Sequence, residues 1–229
     1  MEELLHSAPL YGAPLLHAHF PRAYCDANRE PWELDPSMFC DALPDWCNTS
    51  SKKVQAGFGT IARLVGNGGP IYCHSLDFEE AERRIRECWY PYHAALLHLI
   101  EASVARHDLC ILLDGHSMPR QGGRDSADFI LGNAWGTSCA PEITAMVEKI
   151  LTEHGYRVAR NMPFAGGYVT RHYGRPRRGV HALQMEISRH LYMDERTLER
   201  HDGFPVVQQV LSRVMAELSG LAHRMARQT

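Results

Sequence analysis

Apolar residues recur at three- and four-residue steps through Phe78, Ala81, Ile85, Trp89, Tyr92, Leu96, Leu99 and Ile100. That period lays one stripe along a helix, and it predicts a long helix opening at Phe78. Asp77 before it, with Glu80 three residues on, has the form of an N-cap. Pro91 is expected to kink or divide this helix, because it lacks the amide donor of a helix interior. Leu109-Cys110-Ile111-Leu112-Leu113 is a different pattern, a continuous apolar run closed by Asp114. It predicts a buried strand whose C-terminal end opens into a site. Residues 128–132, 156–159 and 182–187 read as further strands. Residues 141–154 read as a helix that Gly155 ends. A last helix is expected from about Pro205, with Val206, Val207, Val210, Val214, Leu218 and Leu221 on one face.

Upstream the pattern is weaker. The first ten residues read as the tail of a helix, residues 14–20 as a short strand, and residues 28–56, rich in Pro, Asp, Asn and Ser, as a long irregular connection of the kind that carries function. Strands alternating with helices predict a layered α/β fold with a mostly parallel sheet. In such sheets chemistry gathers at the C-terminal strand ends.

Composition narrows the functional classes. The chain has 229 residues, which suits a single domain. Its 24 basic and 27 acidic residues lack the basic excess of a nucleic-acid footprint. No apolar run approaches the ~20 residues that span a bilayer, and the N-terminus lacks the charge and apolar core of a signal peptide. A soluble, cytoplasmic protein with neither a nucleic-acid nor a membrane partner is expected. The cysteines at 25, 40, 47, 73, 88, 110 and 139 form no C-x-x-C pair and read as free thiols.

Four stretches could carry chemistry. In Asp114-Gly115-His116-Ser117, His116 can present a ring nitrogen to a metal or substrate while Asp114 orients the ring. The plain alternative is a histidine packed at a strand end. In Asp26-Ala27-Asn28-Arg29, Arg29 offers a planar fork suited to a carboxylate, and Asn28 adds a donor. Equally, Arg29 ties down a long loop. In Asn161 to Arg171, Gly166 and Gly167 let backbone approach a ligand and Arg171 is a second anion contact, or the segment is a connecting loop with a surface arginine. Glu186 lies in an apolar strand, where a carboxylate needs a partner or a raised pKa. It is either a general base or half of a salt bridge with Arg189 or another arginine. His17-Ala18-His19 puts two rings on one strand face, a weak metal signal, and Ser138 lacks a nucleophile-elbow context.

Taken together the motifs closely resemble the N-formylglutamate amidohydrolase family. The matching stretches are FPRAYCDANREPWELDPSMF (20–39), GFGTIARL (57–64), LLDGHSMPR (112–120), ADFILGN (127–133), NMPFAGGYVTRHYG (161–174) and HALQMEISRHLYMDE (181–195). They extend from about residue 10 over nearly the whole chain. The resemblance implies a three-layer α/β/α domain similar to zinc carboxypeptidases and aspartoacylase-like deacylases. It implies a zinc ion or other divalent metal, with His116 a ligand and Asp114 behind it. It assigns Asn28 and Arg29 to a small acidic substrate, with Arg171 and Tyr168 as further contacts, and Glu186 to general base. Family members carry an N-terminal His-Ser-Gly segment and an acidic pair, thought to supply the other metal ligands. By comparison this chain is expected to be N-terminally shortened and to lack the first strand, leaving an unpaired sheet edge.

Three readings follow. The first is hydrolysis of N-formyl-L-glutamate to formate and L-glutamate, in histidine degradation or a related pathway. The second keeps fold and metal but changes the acyl group or amino acid. The third is a catalytically incomplete relative that binds a small acidic ligand without hydrolysing it.

Overall fold

The computed structural model describes residues 1–66, 68–123 and 126–226. The chain divides into two compact units: Leu16–His98, and Met1–Leu15 together with Leu99–Thr229.

The Leu16–His98 unit is built from loop and helix. The irregular connection is tied by Thr60 N to Glu33 O at 2.8 Å, Asp26 N to Thr60 O at 2.7 Å and an Arg63–Asp35 ion pair at 2.7 Å. Ser51 caps the short helix α1 (Lys52–Gln55) by accepting from Val54 N. Asp77 caps α2 (Phe78–Arg84) by accepting from Glu80 N, as its spacing predicts. The interruption expected at Pro91 takes a particular form. A π-turn over Ile85–Trp89 separates α2 from α3 (Tyr90–His107). Pro91 has no amide proton for the carbonyl four residues back, and a widened turn shifts the pairing there. Residues 17–20 form no strand, and residues 14–16 likewise have no ladder partner among the described residues. Alternation alone does not make a strand without a neighbour to bond to.

The other unit holds the sheet. Its strands are β1 (Cys110–Met118), β2 (Phe129–Gly132), β3 (Val158–Arg160) and β4 (Val180–Ser188), in spatial order β1-β4-β2-β3. β1 runs parallel to β4 and β2 parallel to β3, while β2 and β4 meet antiparallel. The sheet is therefore mostly parallel, as the pattern predicts, with one reversed joint.

α4 (Pro141–Glu153) and α6 (Gly203–Ala226) lie among the elements packed on the sheet. Ile143, Val147 and Leu151 from α4 join Val207, Leu211 and Val214 from α6 over Phe129, Leu131, Leu183, Met185 and Ile187. A short helix, α5 (Tyr168–Tyr173), connects β3 to β4. Residues 1–11 are turns and one 3-10 turn (Ala8–Tyr11) rather than a helix end; Pro9 stands early in that turn, and Leu4, Leu5 and Ala8 are buried in the core.

No helix among the described residues is long and apolar enough to cross a membrane. All seven cysteines are free, and burial pushes the Cys25 and Cys139 thiols up to about 12.

Candidate active site

The register of β1 on β4 places Asp114 beside Gln184 and His116 beside Glu186. Side chains alternate along a strand, so these four share one face of the sheet. Leu183, Met185 and Ile187 point the other way, into the apolar core. All nine residues of β4 are buried. A strand with one dry face and one polar face thus carries a carboxylate into the interior, where it needs partners.

The partners are close. His116 Nε2 lies 2.8 Å from Asp114 Oδ1. Gln184 Nε2 donates to Glu186 Oε1 at 2.8 Å, and Gln184 Oε1 accepts from Gly167 N at 2.7 Å. A neutral amide therefore fixes the Glu186 carboxylate and clips the glycine-bearing segment to the sheet. Arg189, the salt-bridge alternative for Glu186, donates from Nε to Ser117 Oγ at 3.1 Å.

Two glycines make this possible. Gly132 of β2 stands opposite Gln184, and a Cβ there would come within 2.8 Å of the Phe164, Ala165 and Gly166 backbone. The 161–167 segment can cross the sheet this closely because that atom is missing. At Gly115 a Cβ would meet Leu5 at 2.6 Å on the core face.

The strand expected to end at Asp114 instead runs to Met118, so His116 lies within the ladder and not beyond it. The reason is tertiary: β4 supplies backbone partners along its whole length, which overrides the turn-like look of Asp114-Gly115-His116-Ser117.

Gly167 leads into α5, which carries two predicted substrate contacts. Tyr168 stacks on His172, ring centroids 4.7 Å apart and planes 16° apart. Arg171 is exposed and lines a cavity of about 910 Å³.

Asn28 and Arg29 belong to the Leu16–His98 unit. Asp26 is the centre of their loop. It takes Arg22 on both oxygens, at 3.1 and 2.7 Å, and Asn28 N at 2.9 Å. Burial alone would raise the Asp26 pKa; the Arg22 and Arg29 charges outweigh it and hold the carboxyl below its usual range. Arg29 donates from Nε to Phe58 O and from Nη1 to Asn28 O, both at 2.8 Å, and its Nη2 faces Asp26 at 3.8 Å. With Arg22, Asp26 and Phe58 it lines a pocket of about 300 Å³. Trp89 and His93 fix the loop by donating to the Arg29 and Ala27 carbonyls at 3.0 and 2.8 Å.

Among the described residues no group of three or more His, Cys, Asp or Glu side chains is placed to hold an ion. The His17 and His19 rings pack edge to face at 4.6 Å. Catalytic zinc ordinarily takes three protein ligands, and the described residues do not assemble such a set around His116.

Gln184 was missed in the sequence. Its signal was its position two residues before Glu186 in a strand, which puts both on one face.

These features define a mixed α/β protein with an oriented histidine and a buried, amide-held carboxylate on the polar face of its sheet. The sequence model for N-formylglutamate amidohydrolase matches residues 1–193, and the chain belongs to that family. It is 32% identical over 192 residues to a protein of Pseudomonas aeruginosa named N-formylglutamate deformylase, a match covering 81% of this chain and 66% of that one. A Pseudomonas putida protein of the same name is 29% identical over 191 residues, covering 80% of this chain and 66% of the relative. The chain thus spans just under two thirds of the length of these relatives. A crystal structure of N-formylglutamate amidohydrolase from Ralstonia eutropha superposes with a TM-score of 0.91 at 36% identity, over 97% of this chain and 82% of that one. A structure of a gene product from Agrobacterium tumefaciens shares the fold, with a TM-score of 0.59 at 15% identity over 88% of this chain and 69% of that one.

Proposed function

We propose that the chain hydrolyses the amide bond of N-formyl-L-glutamate, or of a similar N-acyl amino acid, releasing formate and L-glutamate. The observation that carries this reading is the pairing on one sheet face of Glu186, held by Gln184, with His116, held by Asp114. The names of the relatives supply the substrate.

In this reading Glu186 takes a proton from a water molecule as its oxygen bonds to the formyl carbon. It then delivers that proton to the departing amine as the carbon–nitrogen bond breaks. The Gln184 amide holds Oε1 in place, leaving the carboxylate's orientation set before substrate arrives. Asn28 and Arg29 are proposed to take a substrate carboxylate, with Arg171 and Tyr168 as further contacts. Zinc, with His116 as a ligand, belongs to the proposal through the family resemblance. The described residues do not complete its donor set.

That incomplete set favours a second reading, in which the chain binds a small acidic ligand and does not turn it over. Zinc content and formate release, measured together on the full chain with N-formyl-L-glutamate, separate the two. Turnover supports hydrolysis. Saturable substrate binding without formate assigns the chain to the second reading.

A further inference from the structure

The 910 Å³ cavity beside α5 is lined by Trp135, Ser138, Arg171, Arg175, Arg177 and Arg178 among others. Ligand pockets usually run from about 300 to 1,000 Å³, so the space suits a small organic molecule. Arg171, Arg177 and Arg178 make no ion pair with any described carboxylate; nor does Arg175, which donates from Nη1 to the Arg171 and Gly174 carbonyls at 2.7 Å each. Four guanidinium groups on one concavity without a counter-charge form a strongly positive site. Beside the cavity, burial first and then the charge of Arg175 lowers the His172 pKa.

The Ala134–Gly136 part of the lining is held by side-chain hydrogen bonds. Ala134 and Trp135 both have left-handed backbone, φ 49° and 57°, in a turn without glycine at either position. Such strain persists only where surroundings over-determine it. Here a pair of buried asparagines does so: Asn161 Oδ1 accepts from Asn133 N at 3.1 Å and Trp135 N at 3.3 Å, and Asn133 Oδ1 accepts from Gly136 N at 2.9 Å and Asn161 Nδ2 at 3.0 Å. The Trp135 side chain is left 68% exposed on the cavity rim. An indole face held at the edge of a guanidinium cluster can stack a flat ring while the arginines take phosphate oxygens in forked pairs.

We propose that this cavity is a binding site for a small organic polyanion that carries a flat ring, of which a nucleoside diphosphate is the chemical type. Arg171 is shared with the proposed substrate contacts, whereas Trp135, Arg177 and Arg178 have no part in the proposed role of Glu186, and the inference does not depend on that role.

ADP titrated into the full chain at low salt, followed by calorimetry, tests this. Saturable micromolar binding is expected, weakening as salt rises. The double variant Arg177→Glu/Arg178→Glu should lose affinity by about tenfold or more, and Trp135→Ala by several-fold, with unfolding midpoints retained. Tripolyphosphate should bind more weakly than ADP, and adenosine should not bind. Formate release from N-formyl-L-glutamate should be unchanged in both variants, so failure of either assignment is read separately. The proposal is overturned if ADP does not saturate at millimolar concentration, if the charge-reversed variant binds as the parent does, or if tripolyphosphate matches ADP.

Discussion

Replacing Gln184 with leucine isolates the amide that joins the glycine-bearing segment to Glu186. Leucine has nearly the same volume, so the change creates little cavity in a side chain that is 4% exposed. Two hydrogen bonds disappear. Gly167 N loses its 2.7 Å acceptor, and Glu186 Oε1 loses its 2.8 Å donor. A buried group left unpaired costs about 1–3 kcal/mol, towards the upper end when it is charged. Glu186 keeps other contacts and the Gly167 amide is only half-buried, so the cost of Gln184→Leu is about 1–3 kcal/mol, still a sizeable share of the roughly 5–15 kcal/mol that stabilises a domain. Urea unfolding of the parent and variant at pH 7.5 measures it from the shift in midpoint at constant slope. A double cycle with Glu186→Gln should return a coupling of about 1 kcal/mol or more, because the two residues share a bond. A Gln184→Leu change within about 0.5 kcal/mol of the parent would refute this, since surface-like neutrality is incompatible with the loss of one buried and one half-buried hydrogen bond.

Two further outcomes follow from the same packing. Gly132→Ala should destabilise by about 1–3 kcal/mol, because its Cβ would press on backbone at 2.8 Å rather than on a flexible side chain; an unchanged thermal midpoint would contradict that. Acidification should weaken the fold through its buried histidines. His181 is buried with Nδ1 accepting from Ala140 N at 3.2 Å, and burial lowers its pKa. Burial likewise lowers His172, with Arg175 adding to it, and His190, with Arg120 adding to it although Asp128 opposes. A histidine whose folded pKa is depressed contributes stability that is full above its unfolded value of about 6.5 and is lost as pH falls below it. The urea midpoint should therefore drop between pH 7.5 and 5.5, and a rise over that interval would oppose the assignment.

What could be read in the sequence was what neighbours in the chain decide. The helix from Phe78 with its Asp77 cap, α4 ending near Gly155, and the apolar strand bearing Glu186 all follow from local period and caps. What partners across the sheet decide was not legible. Residues 14–20 alternate like a strand but acquire no ladder, while the turn-like residues after Asp114 become strand because β4 lies beside them. Gln184 is an unremarkable amide until the register sets it against Asp114 and two residues from Glu186. The same holds for the cavity arginines, which mean little as separate surface charges and something definite once α5 and the following turn bring them around one space. His116 with Asp114 behind it, and Glu186 in its apolar strand, are legible from motif and chemistry, whereas the Gln184 bond that holds Glu186 is visible only in the fold.

The proposed role of Glu186 is that of a base held on the polar face of the sheet. The most direct test is formate release from N-formyl-L-glutamate by the full chain and its Glu186→Gln variant, with metal content and urea midpoint measured on both. Turnover is expected in the parent, with a fall of about 100-fold or more in kcat for the variant and with KM, metal content and fold retained. Equal turnover in the two proteins would contradict it, as would a loss of activity that merely tracks a loss of folded protein.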